Sequence, residues 1–507
     1  MEKIFLDTRE LDEEVRERFA LTEDLMMENA AAALEEKTEQ ILKNHKGENF
    51  ISRPSVLVLT GSGNNGADGF ALSRRLYCHD YSVTVCQVFE PKSEMCILQK
   101  KRAKQLGVNF INIYDLDDFI AEKSFDLKVA VDCIFGSGFH GELPYEAKAV
   151  LESVNQIDGC TKIACDIPSG LYFKADFTVT MGALKTQLFT DKSKDVCGKI
   201  SVANLGVQRS NFENSLKVQP KAFLLEEKDL TLPLRNTQNV NKGTFGHAVI
   251  VSGNKIGAGV IAATAALKFG AGLVSLKGKN LEQKNIPFEI MTDENFPTNT
   301  SAVAAGMGLG NSGEEILEYL LQTKLPAVLD ADIFTCEEKE NQKITLKEFL
   351  SERSKLKCET VLTPHPKEFI SLLRKCALGN FSVHEILENK IELAEKFCNA
   401  FPHTALVLKG SVTVIGHKNS TENKVQLYVN RFGSNAMAKG GSGDVLSGLT
   451  VSLLAQGKNA LESAVTSVLA HSLAGEKFKN SFSLTPFELI EKISEQKNQQ
   501  HKFYFKR

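Results

Sequence analysis

Short apolar runs alternate with longer helical patterns along most of this chain. In its first part the runs are "SVLVL" from Ser55, "SVTVCQVF" from Ser82, "KVAVDCIF" from Lys128, "TKIACDI" from Thr161 and "FTVTM" from Phe177. A continuous apolar run, unlike an alternating one, marks a strand covered on both faces. Between the runs the period changes: Phe70, Ala71, Leu72 and Leu76 recur at helical spacing and leave Arg74 and Arg75 facing outward. This rhythm predicts an α/β domain over 1–212 with a parallel sheet between helical layers. Around "VQRSNFENSLKVQPKAFLLEEKDLTLPLRN" the period is lost and polar residues take over, which marks a linker at 213–226. A second series follows, "HAVIVSGN", "LVSLKG", "PAVLDAD", "ETVLTPHP" and "TALVLKGSVTVI", and predicts a larger α/β domain over 227–490. The tail 491–507 is polar and expected to fray beyond a last helix.

Composition narrows the setting. A chain of 507 residues with 42% hydrophobic content can bury two large cores without staples. A net charge of -3 leaves no basic stripe for nucleic acid. The 11 cysteines include no C-x-x-C pair, so reduced thiols in the cytoplasm are expected rather than a disulfide framework or a zinc site. No apolar run reaches the roughly 18 residues of a membrane span, and the acidic start lacks a secretory pattern, so no membrane association is expected.

The chemistry sits where the runs end, as it does in parallel sheets. After "LVLT" come Gly61 and Gly63, then Asn64, Asn65, Gly66 and Asp68, before the next helical pattern resumes. Glycine lets backbone approach a ligand, and free amides at a helix start attract anions. The spacing is not the dinucleotide G-x-G-x-x-G, and a tight structural turn is the competing reading. After the third run come Asp132 and "GSGFHGE"; after the fourth come Asp166, Pro168, Ser169 and Gly170. Asn65, Asp132 and Ser169, with backbone carbonyls, carry the low total charge that suits a monovalent cation, whereas a calcium cage would want more carboxylates. Asp166 could act as an acid or base on a bound molecule. Asp132 and Asp166 could instead accept backbone amides at loop starts.

"GSGNNGADG", "VDCIFGSGFHGELP" and "DIPSGL" resemble the signature segments of NAD(P)HX epimerases, and the similarity extends over 1 to about 212, including "DFTVTMGALKTQLFT". The resemblance implies a Rossmann-like three-layer αβα sandwich. In it Asn64, Asn65, Gly66, Ala67 and Asp68 line the hydrated nucleotide, together with Gly136, Ser137, Gly138, Phe139, His140, Gly141 and Glu142. Asn65, Asp132 and Ser169 bind K+, and Asp166 is the acid/base. Lys92 matches a lysine thought to assist. Ala67 stands where the family usually has a second glycine, so the loop should have adjusted to a residue that resists positive φ.

In the second domain Gly440, Gly441, Ser442 and Gly443 precede Asp444 and a long apolar helix. Amides at such a helix start would hold a transferring phosphoryl group, and Asp444 could take the proton of an attacking hydroxyl. A glycine cap on an ordinary buried helix is the bland alternative. The motif resembles the anion hole and base of ribokinase-like enzymes. With "KGTFGHAVIVSGN", "PAVLDADIF", "VLTPHPKEF" and "LVLKGSVTVI" it resembles the NAD(P)HX dehydratase branch, from about residue 225 to the tail. That implies a ribokinase-like α/β domain with ADP as co-substrate and Mg2+. Lys409, Gly410, Ser411, Val412, Thr413, Ser434, Gly440, Gly441, Ser442 and Gly443 would contact the adenine nucleotide. Ala258, Gly308, His365 and Asp444 would contact the hydrated cofactor. His365, between Pro364 and Pro366, cannot lie within a helix and is fixed in a crevice. Asp330 and Asp332 could position magnesium through water or merely cap a turn. Where the family typically reads G-N-P-G, this chain has Gly433, Ser434, Asn435 and Ala436, a departure that bears on the loop's rigidity.

The reading is thus a bifunctional repair enzyme that epimerises NADHX and NADPHX and dehydrates the S form at the expense of ADP. Its partners are small molecules, and a homo-oligomer is expected. The alternatives are a ribokinase-like small-molecule kinase with a nucleotide-sensing first domain, which would release a phosphorylated product, and a non-catalytic nucleotide-binding module.

Overall fold

The computed structural model describes residues 1–44, 54–123, 125–281, 284–310, 313–337, 342–419 and 424–498. Most of the polar tail, 499–507, lies outside the described residues. There are two compact units, Lys3–Lys221 and Ala222–Arg507 with Met1–Glu2. Residues 213–221 pack with the first unit, while Ala222–Leu224 is a strand of the second.

The first unit is built on a parallel sheet in the order Asn109–Asn112, Ser82–Gln87, Ser55–Thr60, Leu127–Cys133, Thr161–Cys165, Phe177–Met181, Lys199–Ala203. Ser55–Thr60 is buried at every position, as its unbroken apolar run requires. Val56 and Val58 pack with Leu34, Phe70 and Leu76 on one face; Leu57 and Leu59 pack with Val150, Leu151 and Val154 on the other. These are the three layers of a Rossmann-like sandwich. The chain runs from Ser55–Thr60 out to one edge and returns to Leu127–Cys133 on the opposite side. The loops after these two strands therefore diverge, and a crevice opens between them.

The second unit orders its strands Met291–Asp293, Leu273–Lys277, His247–Val251, Ala302–Ala305, Ala327–Leu329, Thr360–Leu362, Thr404–Leu408, Thr413–His417, Gln426–Asn430, Ala222–Leu224. Thr413–His417 runs antiparallel to both its neighbours. The strand order reverses between His247–Val251 and Ala302–Ala305, so the start of helix Ile256–Lys268, which carries Ala258, meets the loop of Gly308 there; Lys255 N–H donates to Gly308 O at 3.0 Å. Helix Ser442–Ala455 crosses helix Ile256–Lys268 so closely that a Cβ on Gly448 would stand 2.2 Å from Ala262 O. That glycine lets the Asp444-bearing helix lie flush in the core.

Candidate active sites

In the first unit the helix begins at Asn64, so Asn65, Gly66, Ala67 and Asp68 occupy its opening turns rather than the end of the preceding strand. Ala67 is buried there and is not among the residues with positive φ, which is why an alanine is tolerated. A Cβ on Gly66 would stand 2.2 Å from Gly61 O, so the turn closes only around glycine. Asn64 donates to Glu23 Oε1 at 2.8 Å. Lys92 is exposed, with its N–H on Ser62 O at 2.8 Å, which sets its segment beside the glycine loop.

Asp132 pairs with Ser169, and Asn65 and Asp166 flank Gly136. Asp132 is fully buried; Oδ1 accepts from Ile134 N–H at 3.1 Å and from the Ser169 hydroxyl at 2.7 Å, and Oδ2 accepts from Ser169 N–H at 2.8 Å. Burial pushes its carboxyl up to about 6 against those bonds. The Asn65 Nδ2 is buried without a hydrogen-bond partner among the described residues. A Cβ on Gly136 would lie 2.9 Å from Asp166 Oδ2 and 3.2 Å from Asn65 Oδ1, so bare backbone at Gly136 leaves both side chains facing one space. Phe139 stacks on Phe135 with centroids 4.2 Å apart, while Gly138 and Gly141 border open space. His140 and Glu142 lie exposed on the same loop.

Asp166 itself sits at φ 65°, a left-handed conformation that costs a non-glycine residue of order 1–3 kcal/mol and is found where surroundings over-determine it. Its Oδ1 accepts from Lys185 Nζ at 2.7 Å and Thr180 Oγ1 at 3.0 Å, and its Oδ2 from Ser137 N–H at 2.9 Å. Burial opposes its charge, but Lys185 and the amides of Ser137 and Met181 prevail and hold the carboxyl below its usual range. It is therefore ionised in the resting protein. Sequence reasoning missed Lys185, although "GALKT" carried the signal: one lysine in a short stretch otherwise free of charge, now fully buried.

In the second unit, helix Ser442–Ala455 starts from Gly441 at φ 95° and puts Asp444 in its first turn. Lys409 Nζ donates to Asp330 Oδ1 at 2.9 Å and lies 3.8 Å from Glu368 Oε2; Ser447 donates to Asp330 Oδ2 at 2.9 Å. A Cβ on Gly443 would be 3.5 Å from Lys409 Nζ, so the ammonium rests against the helix start. Burial disfavours that charge, but Asp330, Glu368 and Asp444 outweigh it and raise Lys409 above its ordinary value. Burial and the charge of Asp330 push Asp444 up to about 6, with Lys409 opposing. A base in this state must lose its proton to work. A step that needs Asp444 ionised should be flat above about pH 7 and fall tenfold per unit below pH 6, as a pH profile of kcat/KM would check.

His365 caps helix Pro366–Lys375 in a reciprocal box: Glu368 Oε2 accepts its N–H at 2.8 Å and its Nδ1 accepts Glu368 N–H at 3.3 Å. Its ring is half exposed and aligned by that cap. Asp332 Oδ2 accepts Gly310 N–H at 2.9 Å. Gly410, Ser411 and Val412 turn the chain between Thr404–Leu408 and the strand that Thr413 opens. The Ser434 hydroxyl donates to Gly475 O at 2.9 Å and Ala436 is buried, so this loop takes its rigidity from those contacts in place of a proline. His471, also missed, is buried, pushed down to about 4 by burial, and donates from Nε2 to Ser442 O at 2.9 Å, anchoring the glycine turn.

Residues 248–496 match the family described as NAD(P)H-hydrate dehydratase, and residues 23–187 match the YjeF-related protein N-terminus. The bifunctional NAD(P)H-hydrate repair enzyme of Helicobacter pylori is 40% identical over 506 residues, 98% of this chain and 100% of its own. The chain belongs to the bifunctional NAD(P)H-hydrate repair enzymes. The Coxiella burnetii member of that family is 31% identical, over 83% of this chain and 85% of its own. Among solved structures, the Bacillus subtilis ADP/ATP-dependent NAD(P)H-hydrate dehydratase co-crystallised with ATP/Mg2+ is 24% identical, covers 54% of this chain and 96% of its own, and has a TM-score of 0.44. In this repair enzyme the two family matches fall on different units, so the Asp166 crevice and the Asp444 turn belong to different matched regions.

Proposed function

We propose that the first unit interconverts the R and S epimers of NADHX and NADPHX at Asp166, and that the second dehydrates the S epimer at Asp444 at the expense of ADP, giving AMP and phosphate. The observation that carries this reading is the pairing of a carboxylate with an anion-binding helix start: Asp444 in the first turn, with Lys409 against Gly443. The substrate's ring hydroxyl attacks the terminal phosphorus of ADP, whose bond to the bridging oxygen breaks as AMP leaves, while Asp444 takes the hydroxyl's proton. Lys409 and the amides at the helix start hold the charge that develops. The ring nitrogen then expels phosphate, a far better leaving group than hydroxide, and loss of a ring proton restores NADH or NADPH. The nucleotide-lining roles of 64–68, 136–142, 409–413 and 434, and the substrate contacts of Ala258, Gly308 and His365, belong to this reading.

K+ fits the first unit. Among the described residues the buried Asp132 carboxylate accepts hydrogen bonds from Ser169 and Ile134, and the Asn65 Nδ2 has no hydrogen-bond partner. Asn65, Asp132 and Ser169 would hold the ion, which would supply a positive charge for an oxygen of the nucleotide. In the second unit Lys409 and Ser447 each donate to one oxygen of Asp330, and Gly310 N–H donates to Asp332 Oδ2. Mg2+ is expected to arrive on the nucleotide's phosphates. No described helix is long and apolar enough to cross a membrane, and this reading keeps the enzyme and its small-molecule partners in the cytoplasm.

The test is to mix purified protein with both hydrated NADH epimers and ADP. The absorbance of NADH should recover in full, with one phosphate released per NADH, and neither should appear without ADP. A phosphorylated product that accumulates without NADH would favour the small-molecule kinase instead.

A further inference from the structure

A cavity of about 290 Å3 in the first unit lies between helix Arg9–Phe19, helix Glu23–Asn44 and the start of helix Asn64–Cys78. Its lining combines Met26, Met27, Met181 and Leu205 with the charged Arg9, Asp12, Glu13, Arg16, Glu23 and Asp68. That size and lining suit one planar ring rather than a whole dinucleotide. Sequence reasoning gave no role to Asp12.

Epimerisation, as read above, requires more than one proton-handling group. As the ring nitrogen forms a double bond to the carbon that carries the hydroxyl, the carbon–oxygen bond breaks with its electron pair on oxygen. That oxygen leaves as water only if an acid protonates it. Water then adds to the opposite face of the same carbon and gives its proton to a base there. The carbon is neither oxidised nor reduced, and the acid and base reset by exchange with solvent. One carboxyl on one face cannot serve both ends.

Asp166, held ionised by Lys185, is suited to be the base. Resting on the epimerase reading, we propose that Asp12 is a second catalytic residue of this unit, the acid that protonates the departing hydroxyl while Asp166 accepts the proton of the incoming water. Asp12 stands on the amino-terminal helix and Asp166 follows strand Thr161–Cys165, and Met181 of the cavity lining donates its N–H to Asp166 Oδ1 at 3.3 Å. Burial pushes the Asp12 carboxyl up to about 7; Asp166 and Asp7 add to this, and Lys185 and Arg16 oppose it. Two carboxyls whose surroundings drive them apart form the pattern of an acid and a base. Asp68 is the poorer acid: it is buried, burial raises it well above the usual range, and the Cys165 thiol donates to its Oδ2 at 3.8 Å.

The experiment uses the full chain without ADP and follows conversion of purified R epimer to S by NMR. Asp12→Asn should slow exchange by about 100-fold or more, while ADP-dependent consumption of purified S epimer stays within twofold of wild type and reports an intact fold. Asp12→Glu, which keeps an acid, should recover at least about a tenth of the wild-type exchange rate, on the order expected when a proton donor is displaced but retained. Exchange by Asp12→Asn at close to the wild-type rate would overturn the role of Asp12 and leave the epimerase reading standing. A wild-type protein that does not interconvert the epimers would overturn that reading, and this proposal with it.

Discussion

Replacing Asp444 with asparagine should lower ADP-dependent recovery of NADH from the S epimer by about 1,000-fold or more, within the range that loss of a positioned base and its electrostatics produces. R/S exchange should continue at its former rate. Asparagine keeps the size of the side chain and leaves Lys409, Asp330 and Ser447 with their own bonds, so ADP should bind with nearly unchanged affinity. The loss should therefore fall on kcat and not on KM, because an interaction made only as the proton moves has been removed. Single-turnover kinetics with purified S epimer, beside an NMR exchange measurement, separates the two. A variant that lost exchange as well would end the division of labour between the two units.

The second large effect is expected at Lys185. Substitution by methionine leaves Asp166 buried without its cation, and breaking a buried pair from one side costs about 3–5 kcal/mol. Asp166 should then take up a proton, its carboxyl rising from below to above the usual range, and exchange at neutral pH should fall by about 100-fold, as expected when a base is protonated. Exchange should return as pH rises, since the raised carboxyl ionises only at higher pH. In the wild type the sign is opposite. Because the folded value of Asp166 lies below its ordinary 3.8, the pair's stabilisation is present above that value and lost as pH falls through the depressed one. Thermal unfolding of Lys185→Met, Asp166→Asn and the double variant would apportion the coupling. Wild-type exchange in Lys185→Met at neutral pH would mean that Asp166 is not the base.

Particular residues mark how far the chain could be read unfolded. The strand at Ser55–Thr60, the turn that only Gly66 can close and the helix opened by Gly441 are all legible, because period and glycine tolerance are properties of neighbouring residues. The proline-flanked His365 is legible as lying outside a helix, but the capping box that orients its ring was not recognised. Ala67 looked like a compromise in a loop, yet it lies in a helix where alanine is favoured. Asp132 was weighed as a ligand and Asp166 as an acid or base, each against accepting backbone amides; both accept amides, and Asp166 also borders the space beside Gly136. The methionine-walled cavity was invisible, since its lining runs from Arg9 to Leu205.

Sequence by itself determined the alternation of strands and helices, the turns that need glycine, and the strand ends at which polar groups collect, because backbone angles and apolar period are set within a few residues. Tertiary structure alone decided which polar groups lose their water together: Lys409 with Asp330, 79 positions apart, Cys165 with Asp68, 97 apart, and Lys185 with Asp166. A carboxyl becomes a base, or keeps its proton, through the low-dielectric company it is given, and that company is assembled only when distant strand ends meet.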